Sequence, residues 1–346
     1  MKTAARHLMR VTGAFTPFRL FNRNRALILM YHRFSARDTH DTISANAFRQ
    51  HLEYLTAHYR VVALSQIGEF LNQRDPFPPG LAAITIDDGY RDAYDIALPL
   101  LQRFNVPATL FVVTDFIDHK RWLWTDILKF LLPRTTRRFV ELALNHQQLR
   151  IELSDTPAKI RAATCLNAFL KTLPNNLKDS LLADLIIKLG VALPSEPTAE
   201  FQPLSWDKVR ELDNAGVEIG SHTVTHPILT NIDQPQLQFE LRQSKTVLEE
   251  KLNRTVELFC YPNGNYDKQV LAETAKAGYR QAVTTDEGLN EVSSAPLKLK
   301  RLAAESDLTR FIQITSGFEQ VKSRIRNARR LAKPKSARQT AQTAEM

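Results

Sequence analysis

Short apolar or alternating runs are interleaved with amphipathic helical stretches through most of this sequence, and that alternation constrains the fold more than any one motif. Residues 26–32, 61–64, 82–88, 108–113, 217–220, 256–261, 279–284 and 297–302 read as short strands. Helical periods lie between them: Phe48, Leu52 and Leu55 across 45–58; Ile67, Phe70 and Leu71 after Ser65 as cap; 93–104; and 206–214 after Ser205 as N-cap. Further periods cover 235–252, where Glu240, Glu249 and Glu250 sit among basic partners, and 268–277, with a closing helix from Leu308. Such repetition builds an α/β protein with a parallel sheet or barrel. From about 119 to 203 the strand signals lapse and helical spacing dominates, in Trp122/Ile127/Leu128/Leu131, then 160–173, then 177–189, separated at Pro133, Pro174 and Pro194. This block reads as a helical insertion in one βα loop. It either shapes a substrate cleft or is a stabilising elaboration away from the site.

The 346 residues, 43% hydrophobic and 24% charged, supply a sizeable core. Cys165 and Cys260 allow at most one bridge and have no partner at metal-ligand spacing, which argues against a disulfide-built secreted domain. The net charge of +9 resides at the ends: residues 1–25 carry six basic side chains and no acid, and 322–346 carry eight against Glu345, leaving the body near −4. A nucleic-acid partner is not expected, because the basic character belongs to the two ends and not to a face of the fold, and the C-terminal tail carries no base-stacking aromatic. The tail from 319 to 346 reads as solvated and disordered, with attraction to an anionic membrane as its functional alternative. The segment 1–25 has no signal-peptide pattern, and no apolar run reaches the roughly 18 residues a membrane span needs. A cytoplasmic protein is therefore expected. Phe15, Phe18, Leu20 and Phe21, set among arginines, either lie on a membrane surface or cover an edge of the fold.

The chemistry starts at Ile84-Thr85-Ile86-Asp87-Asp88-Gly89. A strand delivers two adjacent carboxylates to its C-terminal edge, where side chains alternate between faces and the two acids can differ in role. Asp-Gly alone is also a common turn. Downstream, Ser221-His222-Thr223-Val224-Thr225-His226 again follows a strand. On a helical turn, imidazoles four apart share a face and can bind one metal. Parallel strands bring their C-terminal ends to one rim, so Asp88 can join His222 and His226, leaving Asp87 as a base.

At these residues the chain resembles the polysaccharide deacetylases with the NodB-type domain, carbohydrate esterase family 4. Thr85-Ile86-Asp87-Asp88-Gly89 is similar to the family's Thr-Phe-Asp-Asp-Gly motif, and His222-Thr223-Val224-Thr225-His226 to its His-Ser/Thr-x-x-His motif. Tyr261-Pro262-Asn263-Gly264 is similar to its third motif, with Asn263 where the family has Tyr. The resemblance implies a deformed (β/α) barrel of about seven parallel strands over 26–318 and hydrolysis of N-acetyl groups on a sugar polymer or glycolipid. It implies Asp88, His222 and His226 as ligands of a divalent metal, zinc first, with iron, cobalt and nickel also suited to these donors. It further implies Asp87 as general base and the backbone N–H of Asn263, beside Pro262 and Tyr261, at the oxyanion and substrate.

The chain departs from the family pattern in two places. Cys260 stands where many members have an arginine, so Arg301 on the last strand is the candidate to orient Asp87. No histidine follows His226, so His32, at the end of the first strand, is the candidate general acid. Hydrolysis of another non-peptide C–N bond and a non-catalytic sugar-binding role are the competing readings. Oligomeric state has no sequence signal.

Overall fold

A computed structural model describes residues 3–323 apart from 38, 40, 145 and 146. Eight strands form its main sheet, all pairings parallel: β1 (Leu27–Tyr31), β2 (Arg60–Val61), β3 (Leu81–Ile86), β4 (Thr109–Val112), β5 (Glu218–Ser221), β6 (Leu258–Cys260), β7 (Gln281–Glu287) and β8 (Leu299–Ala303). The order β1-β8-β7-β6-β5-β4-β3 closes through β3 back on β1, where Leu27 pairs with Ala82 and Tyr31 with Ile86, giving a seven-stranded barrel. The short β2 pairs with Leu81 and Ala82 at the start of β3, below the point where β4 begins its own pairing at Thr85.

Side chains alternate along each strand, and the inward set decides what the barrel can hold. Ile28, Ala83, Phe111, Cys260, Val283 and Leu299 form one buried cluster inside the barrel, while Leu27, Leu29, Ile84, Ile86 and Leu110 pack outward against the helices. Continuing the inward parity places Thr85 and Asp87 on β3 and its end, His222 after β5, His32 after β1 and Arg301 on β8 toward the barrel axis. The helix Leu64–Gln73 contributes Leu64, Ile67 and Leu71 to the same interior cluster. It closes the end opposite the rim, where Gln281 Nε2 donates to the Ser65 carbonyl.

Two local expectations are corrected here. The second strand ends at Val61, and Ser65 lies within a helix whose N-cap is Ala63. The reason is spacing: Leu64, Ile67, Gly68 and Leu71 make a buried stripe at i, i+3, i+4 and i+7.

The insertion lies between β4 and β5 and has its own core of Trp122, Trp124, Leu131, Leu166, Leu170 and Leu185. Its helices are Trp124–Arg134, with Pro133 in the last turn, Thr156–Leu170 and Asn175–Leu189. It is not purely helical, which corrects the sequence reading: Phe139–Leu144 and Gln147–Glu152 pair as an antiparallel hairpin. Val140 and Leu142 are buried and Glu141 and Ala143 exposed, a period-two pattern in a run too short to compete with the helical signal around it.

At the N-terminus two helices, α1 (Thr3–Val11) and α2 (Thr16–Phe21), lie against the last helix, Leu308–Thr315, and the residues just after it. Phe15 and Phe18 pack edge-on against Phe318, so this segment does cover the fold. Residues 318–323 are helical, so the tail read from 319 begins as helix; its remainder lies outside the described residues. Among the described residues, no helix is long and apolar enough to cross a membrane.

Candidate active site

Asp87 and Asp88 leave β3 in opposite directions and meet different partners. Asp87 follows the inward parity, and both of its oxygens are bound by the fork of Arg301, Nη1 to Oδ1 and Nη2 to Oδ2, each at 2.8 Å. Arg301 is 1% exposed, so a bare guanidinium there would be very costly. Its remaining donors are also engaged: Nη1 with Thr85 Oγ1 at 2.9 Å, Nε with the Thr284 carbonyl at 2.8 Å, and Nη2 with Cys260 Sγ at 3.2 Å. The Cys260 thiol in turn donates to Asp87 Oδ2 at 3.5 Å. His32 is 46% exposed at the rim, with Nε2 3.7 Å from Asp87 Oδ2. Burial by itself would raise the Asp87 carboxyl, but Arg301, with a smaller contribution from His32, holds it below the ordinary carboxylate range.

Asp88 is turned away by a left-handed backbone, φ +77°. The next residue must be glycine: at φ +92° a Cβ on Gly89 would come within 2.9 Å of Ile117 Cδ1. Asp88 Oδ1 lies 3.5 Å from Nε2 of both His222 and His226, and those two nitrogens are 3.2 Å apart. The His222 Nδ1–H donates to the Cys260 carbonyl at 2.7 Å, which turns the Nε2 lone pair toward Asp88 and His226. Burial pushes His226 down to about 3, leaving a neutral imidazole. Three donor atoms roughly 3–3.5 Å apart are what a divalent ion about 2.0–2.2 Å from each would require. The Asp88, His222 and His226 set therefore fits a metal on the chemistry of its donors.

The His-x-x-x-His segment is not a helical turn, which corrects that part of the sequence reading. Residues 222–228 are loop, and Thr223 (φ +72°) and His226 (φ +60°) are both left-handed. Strain of this kind persists only where surroundings over-determine it. Here Glu240 does so from the helix Gln234–Leu252: its carboxylate accepts from the Val224 N–H at 2.8 Å, the Thr225 N–H at 2.9 Å and the Thr225 hydroxyl. Glu240 is fully buried, not among surface partners as its sequence context suggested, and burial raises its carboxyl. One signal was present: Glu240 falls on the helix face of Leu237, Leu241 and Leu248, all buried.

The third segment runs Tyr261-Pro262-Asn263-Gly264 after β6. Asn263 is left-handed at φ +56°, and Gly264 packs so close that a Cβ would lie 2.1 Å from Thr285 Oγ1. The Tyr261 ring is buried, with its hydroxyl donating to the Leu297 carbonyl, so this side chain does not face a substrate. Only its backbone helps position Asn263. Sequence reasoning also passed over Tyr90 and Asp126: the Tyr90 hydroxyl donates to Asp126 Oδ2 at 2.6 Å and ties the insertion to the Asp88 loop. Burial pushes Asp126 up to about 6.

A closed parallel barrel with a carboxylate and two imidazoles converging on its C-terminal rim defines a class of hydrolase-like sites. Residues 74–282 match the polysaccharide deacetylase family profile, and the chain belongs to that family. It is 21% identical over 262 residues to a Bacillus subtilis (strain 168) protein named as the polysaccharide deacetylase YxkH, covering 75% of this chain and 64% of that one. It is 28% identical over 113 residues to the poly-beta-1,6-N-acetyl-D-glucosamine N-deacetylase of Staphylococcus epidermidis, covering 28% of this chain and 39% of that one. The chain thus spans less than two thirds of the length of either relative. In fold it is similar to the Streptococcus pyogenes deacetylase PplD, solved in complex with acetate. The TM-score is 0.57 at 18% identity, over 85% of this chain and 99% of that one.

Proposed function

We propose that the protein is a metal-dependent deacetylase of an N-acetylated amino-sugar polymer. The observation that carries this reading is the division of labour between adjacent acids. Asp87 is held ionised by Arg301, while Asp88 joins two imidazoles at metal-ligand spacing. Asp88, His222 and His226 would hold the ion, zinc first. When bound, such an ion lowers the pKa of a water toward about 7 and polarises an acetamide carbonyl. Asp87 takes the proton of the attacking water, and the Arg301 fork keeps its carboxylate aimed and charged while it does so. As the C–N bond breaks, His32 donates a proton to the departing amine, so that acetate and a free amino sugar leave. The Asn263 N–H is the backbone donor assigned to the oxyanion. The named activity of the Staphylococcus epidermidis relative supports a poly-N-acetylglucosamine-like substrate. Acetate release from N-acetylglucosamine oligomers, measured beside small cyclic amides, tests it. Release from the oligomers is expected, and turnover of the amides alone would overturn it.

A further inference from the structure

The N-terminal helical pair is mounted with its apolar side facing out. On α1, Leu8 and Val11 are 64% and 69% exposed and share one face with Ala4. The opposite face carries the arginines: Arg10 Nη1 reaches Thr309 Oγ1 on the last helix, and Arg6 is partly buried. Phe15, just ahead of α2, and Phe18 on it turn inward to Phe318, while Leu20 and Phe21 are 55% and 67% exposed. An amphipathic helix on a globular protein ordinarily does the reverse and buries its apolar face. Four large apolar side chains within 14 residues therefore stand in water on a segment of 25 residues that has six basic side chains and no acid.

We propose that this face is a docking surface for an anionic lipid bilayer. Apolar side chains projecting from a short basic helical segment suit the boundary between headgroups and acyl chains, and the net positive charge of residues 1–25, where Arg25 pairs with Glu291 at 3.0 Å, matches an anionic leaflet. A protein partner with a basic or neutral surface does not fit that charge. The placement also bears on orientation. Asn22 Nδ2 donates to the Ser316 carbonyl, and the Arg23 carbonyl accepts from the Gly80 N–H just ahead of β3. Leu20 and Phe21 are thus next to the closed end of the barrel, away from the rim that carries Asp87 and Asp88. Docked through Leu20 and Phe21, the molecule would turn its catalytic mouth away from the bilayer. The docking proposal does not depend on the deacetylase reading.

The test is co-sedimentation of the full chain with vesicles of phosphatidylcholine, with and without phosphatidylglycerol. Binding to the anionic vesicles is expected and should weaken with salt. Replacing Leu8, Val11, Leu20 and Phe21 together by Ser should weaken it about tenfold or more, with acetate release from soluble oligomers unchanged. If the fourfold variant does not fold, the single variants Val11→Ser and Phe21→Ser carry the test. Failure of the native chain to bind anionic vesicles at low salt would overturn the proposal. So would undiminished binding by the serine variants, because attraction would then belong to the basic residues beyond 323. A native dimer that the variants convert to monomer, without vesicle binding, would also overturn it and give the face to a second copy.

Discussion

The two sides of the catalytic rim solve opposite electrostatic problems. On the Asp87 side the protein supplies its own counter-charge: a buried arginine whose NH groups reach Asp87, Thr85, Thr284 and Cys260. On the Asp88 side it supplies two imidazoles, one of them driven neutral by burial, and no permanent cation. A buried carboxylate without a permanent cation is unfavourable, and under the proposed function a divalent ion held by Asp88, His222 and His226 would complete the second side. Neighbours in sequence thus acquire different chemistry from what faces them.

The comparison can be broken first at Arg301. Arg301→Met leaves Asp87 buried and unpaired, and turnover should fall about a thousandfold with roughly 3–5 kcal/mol of stability lost. Asp87 is now held low by Arg301 against burial, so without the arginine its carboxyl rises and the acid limb of the pH–rate profile moves to higher pH. An unmoved acid limb would assign the arginine to packing alone. His32→Ala should lower turnover about a hundredfold or more with bound metal unchanged; loss of metal instead would place His32 among the ligands. On the Asp88 side, Glu240→Gln removes the charge that clamps the Val224 and Thr225 N–H groups. Metal affinity measured by chelator competition should weaken about 10–100-fold, and unchanged affinity would mean that the loop holds its shape without the clamp.

The smallest effect concerns Asp126, whose carboxyl burial raises to about 6 from 3.8. The folded state then binds more protons than the unfolded one between those values, so this group's contribution makes stability fall as pH rises through that window. Asp126→Asn should abolish about 1–3 kcal/mol of that fall, read from denaturant melts at pH 4 and pH 7. An identical pH slope in the variant would show that Asp126 titrates normally.

Much of this architecture was legible because barrel strands are short, apolar and followed by amphipathic helices, so β3 and β5 announced themselves and the polar residues at their ends drew attention. Strand parity then points Arg301 inward, where it meets Asp87 from 214 residues away. What escaped notice depended on context that period cannot carry. Glu240 resembles a surface glutamate until one asks why it lies between Leu237 and Leu241. The loop of His222 and His226 keeps helical spacing but is shaped by two left-handed residues, and positive φ at Thr or His has no sequence signature. The hairpin at Phe139–Leu144 was hidden by the helices around it. Tyr261 sits beside Asn263 in the chain, yet its ring belongs to the core.

Under the proposed function Asp87 and Asp88 do separate work, and metal content measured beside acetate release in Asp87→Asn and Asp88→Asn tells the two apart. Asp87→Asn should keep its metal and lose about three orders of magnitude in turnover, whereas Asp88→Asn should lose the metal itself. Near-native turnover by Asp87→Asn, or equal metal loss in both variants, would contradict that division.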